Sequence, residues 1–268
     1  MKIQLLGTGA ADGIPSAYCA SRVSDHARKV GKKDIRSRSA ALIDDDLKID
    51  FGPDTWHQVV TQDLNPADWS GIVFTHSHDD HLARNELQYA LYPFTEDHFA
   101  PSTIYGNATV LSKISDRYPD WPFELVETHS FKPFHHVGYK LTPIQAYHKL
   151  DEDSQNLLIE HGGKTILYGT DTGIWHEPTW EFLQGWHVDL FVVECTDGKK
   201  HSDFFGHVGI EGCLHIVSRL RKMSVLASDT PVVTTHHAHL GGCTHAELEE
   251  ALAPHGVTVG YDGIVFEV

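Results

Sequence analysis

His76, Ser77, His78, Asp79, Asp80 and His81 follow directly on the apolar run Gly71-Ile72-Val73-Phe74-Thr75. Imidazoles at His76, His78 and His81 and a carboxylate at Asp80 are the side chains that bind borderline divalent ions. Residues two apart on an extended segment leave it on one side, so His76 and His78 emerge together, while Asp80 and His81 begin a predicted helix over Asp80 to Leu91. One segment could thus serve two adjacent ions. The plain alternative is a His-rich solvated turn.

Strand signals are needed to position that segment, and they recur along the chain: Ile3 to Leu6, Ala40 to Ile43, Leu47 to Phe51, Ile72 to Thr75, Leu141 to Tyr147 and Leu157 to Glu160. They continue at Thr165 to Tyr168, Leu190 to Glu194, Val232 to Thr235, Val257 to Gly260 and Ile264 to Val268. Asp44-Asp45-Asp46, Gly162-Gly163 and Asp262-Gly263 are expected to turn hairpins. Val208 to Arg221 and Thr244 to Leu252 read as helices, the latter opened by a Thr244/Glu247 capping box. The Pro-rich stretch Tyr118 to Pro133 reads as a surface loop. Hairpins and helices in both halves predict an α/β fold of two packed mixed sheets with helices outside, in one domain over residues 1–268.

Composition narrows the partners. Acidic side chains number 37 against 21 basic ones, a formal charge of -16, which disfavours a nucleic-acid partner. Arg28, Lys29, Lys32, Lys33, Arg36 and Arg38 cluster nonetheless, as either a solvated face or a lip that attracts a small anion. No run of 18 apolar residues is present to span a membrane. Cys19, Cys195, Cys213 and Cys243 are too dispersed for a disulfide framework, so a soluble, cytoplasmic protein in a reducing compartment is expected, with a homodimer left open. Gly7-Thr8-Gly9 lacks the rest of a dinucleotide fingerprint and reads as a tight turn.

The 21 histidines invite a search for further ligands. His148 ends one predicted strand, Asp171 follows Thr165 to Thr170, and His236 follows Pro231 to Thr235. From the residues alone His148 competes with His129, His135, His136 and His161, and His236 with His237 and His239. Asp171 could be a turn former.

The H-x-H-x-D-H run after a strand, with isolated ligands at later strand ends, resembles the metallo-β-lactamase superfamily, and the match runs from Met1 to Val268. The resemblance implies a four-layer αββα sandwich. It also implies that His76, His78 and His148 hold one ion and Asp80, His81 and His236 the other, with Asp171 bridging them.

Within that superfamily, Leu6-Gly7-Thr8-Gly9-Ala10 with Gly13-Ile14-Pro15, Thr235-His236-His237-Ala238-His239, and Gly260-Tyr261-Asp262-Gly263 are similar to the phosphoribosyl 1,2-cyclic phosphate phosphodiesterases of phosphonate breakdown. That branch implies hydrolysis of a small phosphorylated substrate, a cyclic or diester phosphate, by attack of a metal-activated water on phosphorus. Asp80 and His207 would be catalytic, and His207 and His239 would bind substrate. His207, in Phe205-Gly206-His207, would act as general acid or phosphoryl donor, a role suited to an imidazole, with a helix-capping histidine as the alternative. Relatives often carry C-x-C-x-x-C for a structural zinc. Here the run is Cys19-Ala20-Ser21-Arg22-Val23-Ser24, so no structural zinc is expected at Cys19. The ligand set accepts manganese or zinc, and also iron or nickel. Ribonuclease Z, a lactonase or thioesterase, and a non-catalytic metal-binding accessory protein are the competing readings; residues 84–133 are a candidate lid.

Overall fold

The computed structural model describes residues 1–95, 103–200 and 202–268. Seven strands form the first sheet: β1 (Lys2–Gly7), β2 (Ala40–Ile43), β3 (Leu47–Ile49), β4 (Gly71–Val73), β5 (Thr103–Gly106), β6 (Glu124–Glu127) and β14 (Val265–Glu267). The second holds β7 (Phe134–His136), β8 (Tyr139–Gln145), β9 (Gln155–His161), β10 (Lys164–Gly169), β11 (Leu190–Glu194), β12 (Val232–Thr235) and β13 (Val257–Val259). Their orders are β14-β1-β2-β3-β4-β5-β6 and β13-β12-β11-β10-β9-β8-β7. Each sheet is antiparallel over half its width and parallel over the rest, as in β3-β4-β5-β6 and β10-β11-β12-β13.

Period-two alternation assigns the faces. Ile3, Leu5, Ile43, Leu47, Ile49 and Val73 meet Leu141, Leu157, Ile159, Ile166, Tyr168 and Val192 in the buried core between the sheets. Their neighbours Ile72, Phe74 and Ile104 turn outward and pack with Val110 and Ile114 of helix α3 (Ala108–Arg117). On the outside of the second sheet, Leu167, Phe191, Val193 and Val232 bury Trp180 of α4 (Glu177–Phe182), Ile216 and Leu220 of α5 (Ile210–Lys222), and Leu248 of α6 (His245–Leu252). Two further helices, α1 (Arg22–Val30) and α2 (Thr55–Thr61), lie in the first half of the chain. This is the expected α/β architecture of two mixed sheets with helices outside. Among the described residues, no helix is long and apolar enough to cross a membrane.

The hairpin turns at Asp44-Asp45-Asp46 and Gly162-Gly163 form as expected. The capping box at Thr244 and Glu247 is complete. Asp262-Gly263 instead carries the chain from one sheet to the other, because β14 pairs with β1 and not with β13.

The predicted helix over Asp80 to Leu91 is absent: tight turns lead to a 3-10 helix at Glu86–Ala90. The segment is pinned to Phe51 by backbone bonds from the amides of Phe51 and Ala83, and this extended pairing displaces a helical ladder. Residues 84–133 are likewise not one loop, since they contain β5, α3 and β6. Trp121 there stacks on Tyr118 and meets Phe123 edge-on. Tyr89 lines an apolar cleft of about 580 Å³ with Trp56 and Trp69, while Tyr92 and Phe94 are exposed. Phe99 lies outside the described residues.

Three of the six clustered cations are committed within the protein. Arg36 is buried and donates to Thr8 Oγ1 and the Gly260 carbonyl, Arg38 pairs with Asp54, and Arg28 pairs with Asp25.

Candidate metal centre

Strand ends deliver the polar groups to one place. β4 runs into Thr75-His76-Ser77-His78, β8 into His148, β10 into Asp171, and β12 into His236. Asp171 and His236 adopt left-handed backbone, with φ of 49° and 55°. Non-glycine residues rarely do so except where the surroundings hold them, and such strain gathers at functional sites.

Two groups of ligand atoms result. His78 Nδ1 lies 2.9 Å from His76 Nε2 and 3.0 Å from His148 Nε2. Asp80, His81 and His236 form the second group, with His81 Nε2 3.2 Å and His236 Nε2 3.6 Å from Asp80 Oδ2. Asp171 stands between them: its oxygens lie 2.8 Å from His81 Nε2, 3.1 Å from His236 Nε2 and 3.8 Å from His148 Nε2. The structure therefore brings together all seven residues His76, His78, Asp80, His81, His148, Asp171 and His236.

Each inner imidazole is fixed through its rear nitrogen. Nδ1 of His76 meets Thr75 Oγ1, that of His81 meets Asp50 Oδ2, that of His148 meets the Gly206 carbonyl, and that of His236 meets Thr196 Oγ1. A second contact on the rear nitrogen sets ring orientation and basicity in metal sites. Ser77, between two of the histidines, is anchored through its amide and hydroxyl to Glu152.

The donor set fits divalent ions. Nε2 of His81 and of His236 is buried and makes no hydrogen bond, although Asp171 oxygens are near; the atoms converge without being aligned as donor and acceptor. Buried polar atoms seldom go unpaired in this way unless they serve another partner. Burial, reinforced by neighbouring imidazoles, lowers the pKa of His76 and His148, and burial also lowers that of His78, so these rings are neutral and able to ligate. Burial opposes ionisation of Asp80 and Asp171, but His81 and His236 hold both carboxyls well below the usual range. Burial also opposes a charge on His81, yet Asp171, Asp80 and Asp50 raise its pKa well above the ordinary value.

His207 approaches this cluster from the loop before α5. Its Nδ1 is 3.1 Å from Glu194 Oε1 and 3.9 Å from Asp171 Oδ1. Burial works against its charge, but Glu194 lifts its pKa to about 9. Glu194 is itself fully buried and accepts from the amides of Thr172 and Val208 and from Thr196 Oγ1. Asp50 is also buried, accepting from the Thr75 amide and hydroxyl besides holding His81. Neither Asp50 nor Glu194 was a sequence candidate. The one signal was a carboxylate at the end of a buried apolar strand, and many strands end so.

His239 is taken up elsewhere. Its Nε2 is 2.7 Å from Asp12 and its Nδ1 2.8 Å from Ser21 Oγ, so a substrate contact would have to displace one of them. The competitors also have other partners: His136 meets Ser70 and Tyr105, and His237 meets Thr234.

Residues 47–237 match the family model of the beta-lactamase superfamily domain. The chain belongs to the beta-lactamase superfamily. Solved structures extend the likeness over the whole chain. A diphosphatase of the PhnP family superposes with a TM-score of 0.76 at 22% identity, covering 100% of this chain and 97% of that one. Zinc-bound PqqB from Methylobacterium extorquens gives 0.77 at 18% identity, with 100% of both chains covered. The short form of human tRNase Z gives 0.64 at 18%, covering 100% and 99%. At these identities the likeness shows the metallo-β-lactamase fold. Among curated sequences, an octanoyltransferase of Porphyromonas gingivalis (strain ATCC BAA-308 / W83) is 26% identical over 279 residues. That alignment takes in 98% of this chain and 51% of the relative, so the chain spans about half that protein's length.

Proposed function

We propose that this superfamily hydrolase is a dinuclear metal phosphodiesterase acting on a small cyclic or diester phosphate, with phosphoribosyl 1,2-cyclic phosphate as a candidate substrate. One observation carries the reading: the imidazole of His207, 3.1 Å from buried Glu194, faces a seven-residue His/Asp cluster. Two divalent ions held by that cluster, manganese or zinc, would supply Lewis acidity toward a phosphoryl oxygen and lower the pKa of a water.

The chain's own residues do the rest. Asp80 and Asp171 stay ionised, orient the attacking water and offset the charge of the ions. His207 has Nδ1 committed to Glu194, which leaves Nε2 to donate a proton to the departing alkoxide. Glu194 keeps that proton in place at neutral pH. The neutral rings of His76, His78 and His148 ligate without first losing protons. The net charge of -16 supports a small substrate over RNA. Four free cysteines suit a reducing, cytoplasmic setting.

A second reading, hydrolysis of a carboxylic ester or thioester, draws on the octanoyltransferase relative. The test is release of p-nitrophenol from bis(p-nitrophenyl) phosphate by protein loaded separately with manganese and zinc, beside an octanoyl thioester. Metal-dependent diester turnover that falls at least 100-fold in His207→Ala, with both ions retained, supports the phosphodiesterase. Thioester cleavage with an inert diester would replace it by the second reading.

A further inference from the structure

A row of rings runs out of the metal cluster onto the surface. His207 stacks on His236 at 5.2 Å between centroids, and Phe204 lies 5.3 Å from His207 and 5.7 Å from His148. Phe205 follows at 5.1 Å from Phe204, and Tyr147 at 4.7 Å from Phe205. The outer rings are wet: Phe204 is 43% and Phe205 40% exposed, and neither belongs to the core clusters that hold the sheets and helices together.

The segment that carries these rings is nevertheless built into the site. The Gly206 carbonyl accepts from His148 Nδ1 at 2.9 Å. On the other side the Phe205 carbonyl lies against Gly173, where a Cβ would come within 1.9 Å of it, so glycine alone permits the approach. Gly173, two residues past Asp171, donates its amide to the Tyr147 carbonyl. Gly206 is similarly confined, since a Cβ there would meet the Phe204 ring at 2.6 Å and His148 Nδ1 at 2.8 Å. Two adjacent phenylalanines are therefore fixed in position at the edge of the cluster yet left in water. Packing does not require them there, because turning to polar residues would cost no core.

We infer that Phe204 and Phe205, with Tyr147 behind them, form a subsite that stacks a flat aromatic ring of the substrate, biologically a nucleobase, carried on the ester group next to the reacting phosphorus. This rests on the phosphodiesterase reading and names a substrate class, base-bearing diesters, in place of phosphoribosyl 1,2-cyclic phosphate, which carries no aromatic ring. Ring-on-ring contact is sequence-tolerant and gains from the area of both faces, which exposed phenylalanine supplies and a sugar or alkyl group does not match. Phe204 sits about one ring diameter from His207. The recognised ring must therefore be close to the bond that breaks, within reach of a nucleoside's sugar.

The experiment has a binding arm and a turnover arm. Isothermal titration of the protein as purified with adenosine 5′-monophosphate and with ribose 5-phosphate compares the same phosphate with and without a base. The expected preference for the nucleotide is about 10-fold. It should fall to near unity in Phe204→Ala/Phe205→Ala and be partly kept in Phe204→Leu. Equal affinities in the wild type, or a preference untouched in the double variant, would overturn the subsite. In the turnover arm, bis(p-nitrophenyl) phosphate and methyl p-nitrophenyl phosphate share a leaving group and differ in the ring that remains. A wild-type advantage for the former that sits in KM, and shrinks in the double variant, supports the subsite; an advantage that persists there speaks against it. Base-dependent binding in a protein that cleaves neither diester would keep the subsite and reject the phosphodiesterase reading.

Discussion

Gly52→Ala is a test of the metal centre made from outside it. Gly52 lies outside the positive-φ region, so alanine meets no left-handed strain there, yet its Cβ would come 2.1 Å from the Asp80 carbonyl, a main-chain atom. Ordinary contact begins at 3.4 Å, so the two strands must part by about 1.3 Å. The backbone bonds from Phe51 to the His81 carbonyl, at 2.9 Å, and from Ala83 to the Phe51 carbonyl, at 2.7 Å, tie the whole Asp80-His81 turn to the displaced strand. Functional constellations tolerate about 0.5 Å of error, and a displacement near 1 Å costs about 100-fold in rate. The expectation is selective: the ion held by Asp80, His81 and His236 is lost on dialysis, that of His76, His78 and His148 is kept, and turnover falls about 100-fold or more. Metal content by plasma mass spectrometry, diester turnover and circular dichroism read the three. Gly163→Ala, at a hairpin glycine with φ of +77° and open space around it, is the control that strains the backbone without touching the site. Two retained metal equivalents and wild-type turnover in Gly52→Ala would refute the claim that Gly52 positions Asp80.

Three further outcomes are expected. Asp171→Ala, which removes the carboxylate shared by both ligand groups, should lose at least 100-fold in turnover and weaken both ions, measured by competition with a chelator. Glu194→Gln should move the alkaline limb of kcat downward from about pH 9, because a general acid must hold its proton and the carboxylate that raises the His207 pKa is gone; an unchanged pH profile would remove His207 from the acid role. Lys48 is fully buried against Trp69, donates to the Ile49 and Asp50 carbonyls, and has its pKa pushed by burial down to about 7 from 10.5. At this group the unfolded chain therefore binds more protons between pH 7 and 10.5, which adds a rising contribution to stability across that window, opposed below about pH 9 by the raised pKa of His207; in Lys48→Met the Lys48 contribution should be lost and stability at pH 7 rise by about 1 to 3 kcal/mol, read by urea denaturation of variant and wild type at several pH values.

Much of the architecture was legible in the sequence because buried strands here are short, β-branched and bounded by turn residues, as at Leu190 to Glu194 and Val232 to Thr235. His76, His78, Asp80 and His81 were legible because they crowd one strand end, whereas His148, Asp171 and His236, each alone at a different strand end, stood out only through the family resemblance. Tertiary pairing hid the rest. Asp80 to Leu91 has helical spacing, but Phe51 captures its backbone from 30 residues upstream. β5 and β6 were missed since their parallel partners lie far along the chain and their runs are brief. Asp50 and Glu194 reach the cluster through the rings they touch, His81 and His207, and contacts of that kind leave no mark on residue spacing.

The pairing of β1 with β14 has a temporal side. Lys2 lies opposite Glu267, the Met1 amine donates to the Val268 carbonyl, and Asp262 holds the Thr8 and Ser37 amides, while the Ala10 amide donates to the His237 carbonyl. β1 must therefore wait for residues synthesised on the order of 10 to 50 s after it. During that interval β1 can pair with β2 on one side only, and its other edge is open to any extended chain nearby. The His236 turn, stitched to the loop after β1, settles in the same late event. Metal capture by the second ligand group thus reports that the chain has closed on itself, and nascent chains arrested before β14 should hold the His76, His78 and His148 ion at most.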